Sequence, residues 1–170
     1  MATLVAEAIR NANVALATAD LHLAEQVIQA DMKLDALERD LDERCIRLLA
    51  RQQPVATDLR IIISGLRMSA SIERMGDLAR HVAQVTRMRY PEKVLPASVE
   101  PLFARFAEAS NTVAGDVVQL LSNHDLDLAR KVEQDDDILD ELHRDAFGAT
   151  LGPDWDGSVE QTVDATLLGR

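Results

Sequence analysis

The sequence predicts an all-α protein built from two tandem three-helix bundles, the second incomplete. Thr18–Leu41 aligns without a gap with Asn123–Ala146, 105 residues later, and 12 of the 24 aligned positions are identical. Leu, Ala, Val, Asp, Glu and Arg dominate the chain, aromatics make up only 3%, and this composition is typical of helices. No window alternates apolar and polar residues as a half-buried strand would. A gapless repeat of this length indicates a duplicated structural unit.

Three helices are predicted in the first copy. Apolar residues recur at three- and four-residue steps over Leu4–Ala19, which predicts the first helix. Asp20 is placed to cap the second helix. That helix ends before Pro54, because proline disfavours helical backbone at the preceding residue. A third periodic segment covers about Thr57–Met88, and Tyr90–Lys93 breaks the pattern.

The second copy repeats this order. Ser98 opens a helix that runs to about Ser122, and Asp125 caps the next one as Asp20 does in the first copy. That helix fades into a turn rich in glycine, proline and aspartate. Ser158 follows the turn, and Gln161 three residues later completes the capping-box pattern that opens a last helix.

These elements divide the chain into a first unit at 1–89, a linker at 90–97 and a second unit at 98–170. The repeat also predicts unequal copies. By comparison with the helix that opens at Ser98, the first helix of the chain should begin several residues before Met1. The last helix stops at Arg170 and is much shorter than the third helix, its counterpart in the first copy. We therefore expect a chain truncated at both ends relative to a complete duplication.

Composition excludes several classes of function. A formal net charge of −11 disfavours nucleic acid as a partner, since phosphate neutralisation needs clustered Lys and Arg. No segment approaches the roughly 18 apolar residues that span a bilayer, so we expect no membrane insertion. Cys45 is the single cysteine and cannot form an internal disulfide. A reducing, cytoplasmic setting is predicted.

Paired carboxylates are the main candidates for a functional site. Glu73 and Asp77 lie one helical turn apart on a helix whose apolar residues predict packing on two sides. Two charges about 6 Å apart repel by roughly 3 kcal/mol at an effective dielectric near 20, so a cation should offset them. Asp31 and Asp35 have the same spacing on the second helix. Their counterparts in the second copy are Asp136 and Asp140.

Two interpretations of these acids remain open. An oxygen-only cluster suits Mg²⁺, Mn²⁺, Ca²⁺ or iron better than a thiolate-bound zinc. Acids at this spacing are more often a solvated helix face. Arg67, Arg74 or Arg80 could also neutralise Glu73 and Asp77 by ordinary salt bridges.

The other polar residues indicate structural roles. We expect His22, His81 and His124 at the surface, Trp155 as an anchor of its turn, and Cys45 as a core filler. The sequence contains no glycine-rich phosphate loop, nucleophile elbow or triad spacing. We therefore predict that the protein is not an enzyme.

Two motifs resemble the PhoU family of phosphate-signalling regulators. They are Gln52–Arg60, which reads QQPVATDLR, and Ile72–Ala79, which reads IERMGDLA. The resemblance implies two similar three-helix bundles with an E/D-x-x-x-D motif in each that binds a multinuclear metal cluster. It also implies a cytoplasmic protein that acts at the membrane through partners, a phosphate ABC transporter ATPase and a sensor histidine kinase, to keep the phosphate-starvation response off when phosphate is plentiful.

Carried onto this chain, the resemblance implies iron, manganese or magnesium bound by Glu73 and Asp77, with Asp31 and Asp35 facing them. In the second copy, Asp136 and Asp140 match, and the second acidic motif would fall about three residues after Arg170. A homodimer is expected. The alternatives are a ferritin-like di-metal carboxylate enzyme, which needs Glu-x-x-His pairs on two helices, and a metal-free helical interaction module.

Overall fold

Residues 1–169 fold into six α-helices arranged as two three-helix bundles, which confirms the predicted fold class. The computed structural model describes residues 1–169, and no β-strand occurs among them. The helices are α1 (Ala2–Thr18), α2 (Leu21–Gln52), α3 (Ala56–Arg89), α4 (Glu100–Asn123), α5 (Leu126–Leu151) and α6 (Val159–Leu168). None of these helices combines the length and the apolar content that crossing a bilayer requires.

The internal repeat extends to the backbone of the two inter-helix turns. Ala19 and His124, which are equivalent positions 105 residues apart, both adopt the left-handed conformation, with φ of 53° and 54°. Asp20 and Asp125 follow them, and each accepts a hydrogen bond from the backbone N–H three residues later. Because each cap satisfies a free N–H donor of the next helix, both predicted N-caps are confirmed.

Small residues form the centre of the first bundle. Alanines dominate where α1, α2 and α3 meet, and their lack of bulk lets the helices approach closely. The buried residues of this cluster are Ala12, Ala15, Ala24, Val27, Ala79 and Ala83.

The linker between the two bundles is part of the second core. Val94 and Leu95 are buried and pack with Phe103 of α4, Ala146 of α5 and Ala165 of α6. Burial of apolar side chains stabilises a connecting segment as it stabilises a helix face. The linker is therefore held in place against the second core.

The α5–α6 turn is held by Trp155, as predicted. Its Nε1 donates to Thr162 Oγ1 at 2.8 Å, and its ring packs against the second core. Ser158 and Gln161 exchange side-chain and backbone hydrogen bonds in the expected capping box.

Asn13 and Arg89 of the first bundle make polar contacts with the second. Asn13 Nδ2 on α1 donates to Ser110 Oγ at 3.1 Å and to Asn111 Oδ1 at 3.2 Å on α4. Arg89, at the end of α3, donates from Nε to the buried Asp164 Oδ2 of α6 at 2.5 Å. The end of the first bundle is thereby tied to the last helix of the second.

Two expectations need correction. Ser98 does not open α4, which begins at Glu100 with a proline in its first turn; Ser98 Oγ instead donates to Asp156 Oδ1 at 2.6 Å. The two-sided packing predicted for α3 holds only in its second half. Ala79 is buried, but Ile61 and Met68 are 65% and 45% exposed, because α1 begins beside Ser69 and does not reach them.

Candidate metal-binding site

A glycine brings α2 and α3 together where the predicted acids lie. Gly76, inside the Glu73-to-Asp77 motif, is buried, and a Cβ atom at this position would overlap Leu34 Cδ2 of α2. Leu34 is itself only 4% exposed. The absence of a side chain on Gly76 therefore lets the two helices approach, and it places the acids of α2 opposite those of α3.

An arginine joins the two acid pairs. Arg80 Nε lies 2.6 Å from Asp31 Oδ2 on α2, and its Nη2 contacts Asp77 Oδ1 on its own helix. We call these contacts of Arg80 with Asp31 and Asp77 the arginine bridge. The Asp31 side chain is 12% exposed and that of Arg80 is 27% exposed, so the bridge lies at the edge of the core.

The arginine bridge is not a complete set of hydrogen bonds. The buried Nε atom of Arg80 has no acceptor in line with its N–H bond, although Asp31 Oδ2 is close to it. The Asp31 contact is thus a charge pair, while Asp77 accepts a hydrogen bond. That hydrogen bond is the largest cause of the raised pKa of Arg80. The guanidinium therefore stays charged at any ordinary pH.

The surrounding carboxylates act on one another. Burial raises the pKa of Asp31, while the charge of Arg80 opposes the shift and Asp35 and Asp77 reinforce it. The pKa of Glu73 is also raised, first by burial and then by Asp77, with further contributions from three other acids, which are Glu38, Asp35 and Asp31. We call the five carboxylates on α2 and α3 the acidic face: Asp31, Asp35, Glu38, Glu73 and Asp77.

The second copy does not form an equivalent face in the described residues. Asp136 and Asp140 lie exposed on α5, and α6 ends at Leu168. The counterpart of the Glu73-to-Asp77 motif would lie beyond Arg170, outside the described residues. Within residues 1–169, the first copy brings two predicted acid pairs face to face.

The carboxylate oxygens of the acidic face suit a hard cation, but in this structure two of them contact the guanidinium of Arg80. Carboxylate oxygens are the ligands that Mg²⁺, Mn²⁺ and iron accept. Within residues 1–169, however, no three His, Cys, Asp or Glu side chains converge as a metal would need. Arg80 instead contacts carboxylate oxygens of both Asp31 and Asp77.

Three arginines are candidates from the sequence to neutralise these acids. Arg67 and Arg74 are exposed, and Arg80 makes the contacts. Its position three residues after Asp77, on the same helix face, was the available signal. Nothing in the sequence showed that its other partner would be Asp31.

The remaining candidates have the expected positions with one exception. His22, His81 and His124 are exposed as predicted, while Cys45 is only half-buried and does not fill a core. His143, the counterpart of Glu38, has its Nδ1 against the backbone carbonyl of Gly169.

Comparisons of sequence agree with the resemblance. A family model described as the PhoU domain matches residues 1–86. Over its whole length the chain is 39% identical to phosphate-specific transport system accessory protein PhoU homolog 2 of Mycobacterium tuberculosis, and it covers 80% of that protein. Over 143 residues, 84% of this chain, it is 39% identical to the PhoU homolog of Aquifex aeolicus and covers 64% of it.

The fold is also similar to a solved structure. The crystal structure of PhoU from Pseudomonas aeruginosa superposes with a TM-score of 0.87 and 29% identity, and the match covers 99% of this chain and 81% of that one. The similarity spans both bundles and so includes the helices that carry the acidic face. The chain therefore belongs to the PhoU family.

Proposed function

We propose that this protein is a non-enzymatic negative regulator of phosphate uptake and phosphate signalling. It acts as an adaptor between the ATPase subunit of a phosphate ABC transporter and a sensor histidine kinase, as a homodimer in the cytoplasm that reaches the membrane through these partners. The observation that carries the proposal is the 39% identity, over the whole chain, to proteins named as phosphate-specific transport system accessory proteins.

The tip of the α2–α3 hairpin supports an adaptor. Residues 44–68 contain five arginines and one acid in a chain of net charge −11. All five arginines are exposed, and two of them, Arg44 and Arg47, pair with Asp40 and Glu43 just before the tip. Ile46 and Val55 on the same tip are 61% and 74% exposed. Arginine mixed with apolar side chains is characteristic of protein-binding surfaces, and its charge suits an acidic partner.

The proposal includes a metal ion on the acidic face. Iron, manganese or magnesium would be held by Asp31, Asp35, Glu73 and Asp77, and Asp136 and Asp140 would supply half of a second site. Burial first, and then neighbouring carboxylates, raise the pKa values of Asp31 and Glu73. A cation there would stabilise their charged forms and the packing of α2 on α3.

A metal-free helical interaction module is the second candidate. The arginine bridge favours it, since Arg80 already supplies a positive charge to Asp31 and Asp77. The ferritin-like enzyme has less support. Such a site needs Glu-x-x-His pairs on two helices. The sequence contains none, and its one related pair is Asp140 with His143.

A reporter assay tests the regulatory role. In a bacterium that lacks its own homologue, a phosphate-starvation reporter stays active in high phosphate, and this protein should restore repression. The double charge reversal Arg47→Glu with Arg51→Glu at the tip should abolish this repression. The control variant Arg10→Glu with Arg130→Glu, at exposed positions elsewhere, should keep it. Continued reporter activity despite normal accumulation of the unmodified protein would refute the regulatory role.

A further inference from the structure

We propose that Arg80 is an internal counter-cation that competes with metal ions for Asp31 and Asp77 and thereby sets the metal concentration at which the acidic face fills. The inference rests on the proposed metal binding and names the residue that controls it. It concerns this chain's own contacts, in which one side chain takes oxygens from both helices.

Competition follows from the ligands that are shared. A metal on the acidic face needs carboxylate oxygens, and the arginine bridge uses Asp31 Oδ2 and Asp77 Oδ1. Guanidinium cannot be deprotonated in this pH range, so loss of its proton cannot free these oxygens. Each aspartate keeps a second oxygen, but a metal bound there would lie beside the positive charge of Arg80, which repels it. Metal binding is therefore strongest when Arg80 has moved away.

The contacts also make Arg80 displaceable. Its Nε is buried without an aligned acceptor, and an unmade hydrogen bond in a buried place costs free energy. Its side chain is still 27% exposed, which leaves a short path into solvent, where every N–H can bind water. The arginine bridge therefore holds the two aspartates by short contacts, but its missing hydrogen bond makes Arg80 easier to displace.

Two states of the acidic face result. With Arg80 inserted, the repulsion between Asp31 and Asp77 is offset without metal, so the helices remain packed. With metal inserted, Arg80 turns outward beside the exposed His81 and adds positive charge to the surface of α3. Occupancy would then change the charge on this part of the surface of α3.

Substitution of Arg80 tests the competition. The Arg80→Gln variant removes the charge but keeps a polar side chain, and Arg74→Gln on the exposed face of the same helix is the matched control. Calorimetric titration with MnCl₂ and with MgCl₂ should give a Kd about tenfold lower for Arg80→Gln than for the unmodified protein or the control, as expected when one charged hydrogen-bonded competitor is lost. Without metal, Arg80→Gln should melt at a lower temperature, because its aspartates are left uncompensated.

The outcomes separate this inference from the proposed function. Equal affinities of the unmodified protein and Arg80→Gln would overturn the role of Arg80 and leave metal binding intact. Binding only by Arg80→Gln would support competition while refuting metal binding by the natural chain. If none of the three proteins binds, both ideas fail. Should Arg80→Gln not fold, Arg80→Lys keeps the charge without the two-pronged geometry, and a Kd no lower than that of the unmodified protein would overturn the inference.

Discussion

At the scale of single residues, Gly76 and Arg80 decide what the acidic motif does. Gly76 lets α2 approach α3, because any Cβ there would overlap the buried Leu34. Arg80 then joins the acids that this approach brings together. The acids alone would repel one another across the helix interface, and the charge of Arg80 offsets part of that repulsion.

The role of Gly76 can be measured against a second glycine of the same helix. Gly76→Ala should destabilise the protein by about 1 kcal/mol, since overpacking costs about 1 to 3 kcal/mol and alanine's better helix propensity returns about 0.5 to 1 kcal/mol. Gly65→Ala, where a Cβ meets nothing within 4 Å, should stabilise it by about 0.5 kcal/mol. Urea unfolding of both variants measures the difference, and equal effects would contradict the close approach.

At the scale of elements, the two bundles are joined by packed and paired segments. The linker contributes Val94 and Leu95 to the second core, and Arg89 of α3 pairs with the buried Asp164 of α6. A helix of ten residues, such as α6, is unstable alone in water. It depends on these tertiary contacts to stay folded.

Loss of the Arg89–Asp164 pair should loosen α6 selectively. Asp164→Asn removes the charge that Arg89 meets and leaves a buried amide with poorer hydrogen bonding. Hydrogen exchange at the amides of α6 should accelerate, while exchange in α2 stays unchanged. Glu160→Gln is the control, because Glu160 also pairs with Arg89 but is 74% exposed. Equal acceleration in both variants would show that the buried pair has no special role.

At the scale of the whole molecule, acidity works against the folded state. A net charge of −11 repels itself more strongly when the chain is compact. The acidic face adds to this cost, because its buried carboxyls are less stable when charged. Burial raises the pKa of both Asp31 and Glu73 above their ordinary values of 3.8 and 4.5.

Stability should therefore rise as the pH falls from about 7 towards the raised pKa values. Between the unfolded and folded pKa of each carboxyl, the folded state binds more protons, so lowering the pH favours folding. Urea unfolding measured from neutral pH down to the ordinary pKa values of 3.8 and 4.5 should show this slope. Combining Asp31→Asn with Glu73→Gln should flatten it, although Arg80 and His81 oppose the shift at Asp31. Asp136→Asn, at an exposed position, should leave the slope unchanged, and a flat profile for the unmodified protein would contradict the prediction.

Much of the architecture is local and could be predicted from the sequence. Apolar periodicity, the prolines, and the caps at Asp20, Asp125 and Ser158 act within one or two turns, so they define helices before any tertiary contact forms. The repeat at an offset of 105 residues predicted which helices of the two copies are equivalent. The turns at Ala19 and His124, which share the same left-handed conformation, confirm this equivalence.

The sequence by itself thus determined the helices, their order, the duplication and which acids could meet. Only the tertiary structure decided that Arg80, and not Arg67 or Arg74, reaches Asp31. It also decided that Gly76 sets the distance between α2 and α3. The physical reason is that charge compensation and close packing depend on the relative rotation and spacing of two helices. Those quantities arise from contacts between residues far apart in the chain, and no local pattern records them.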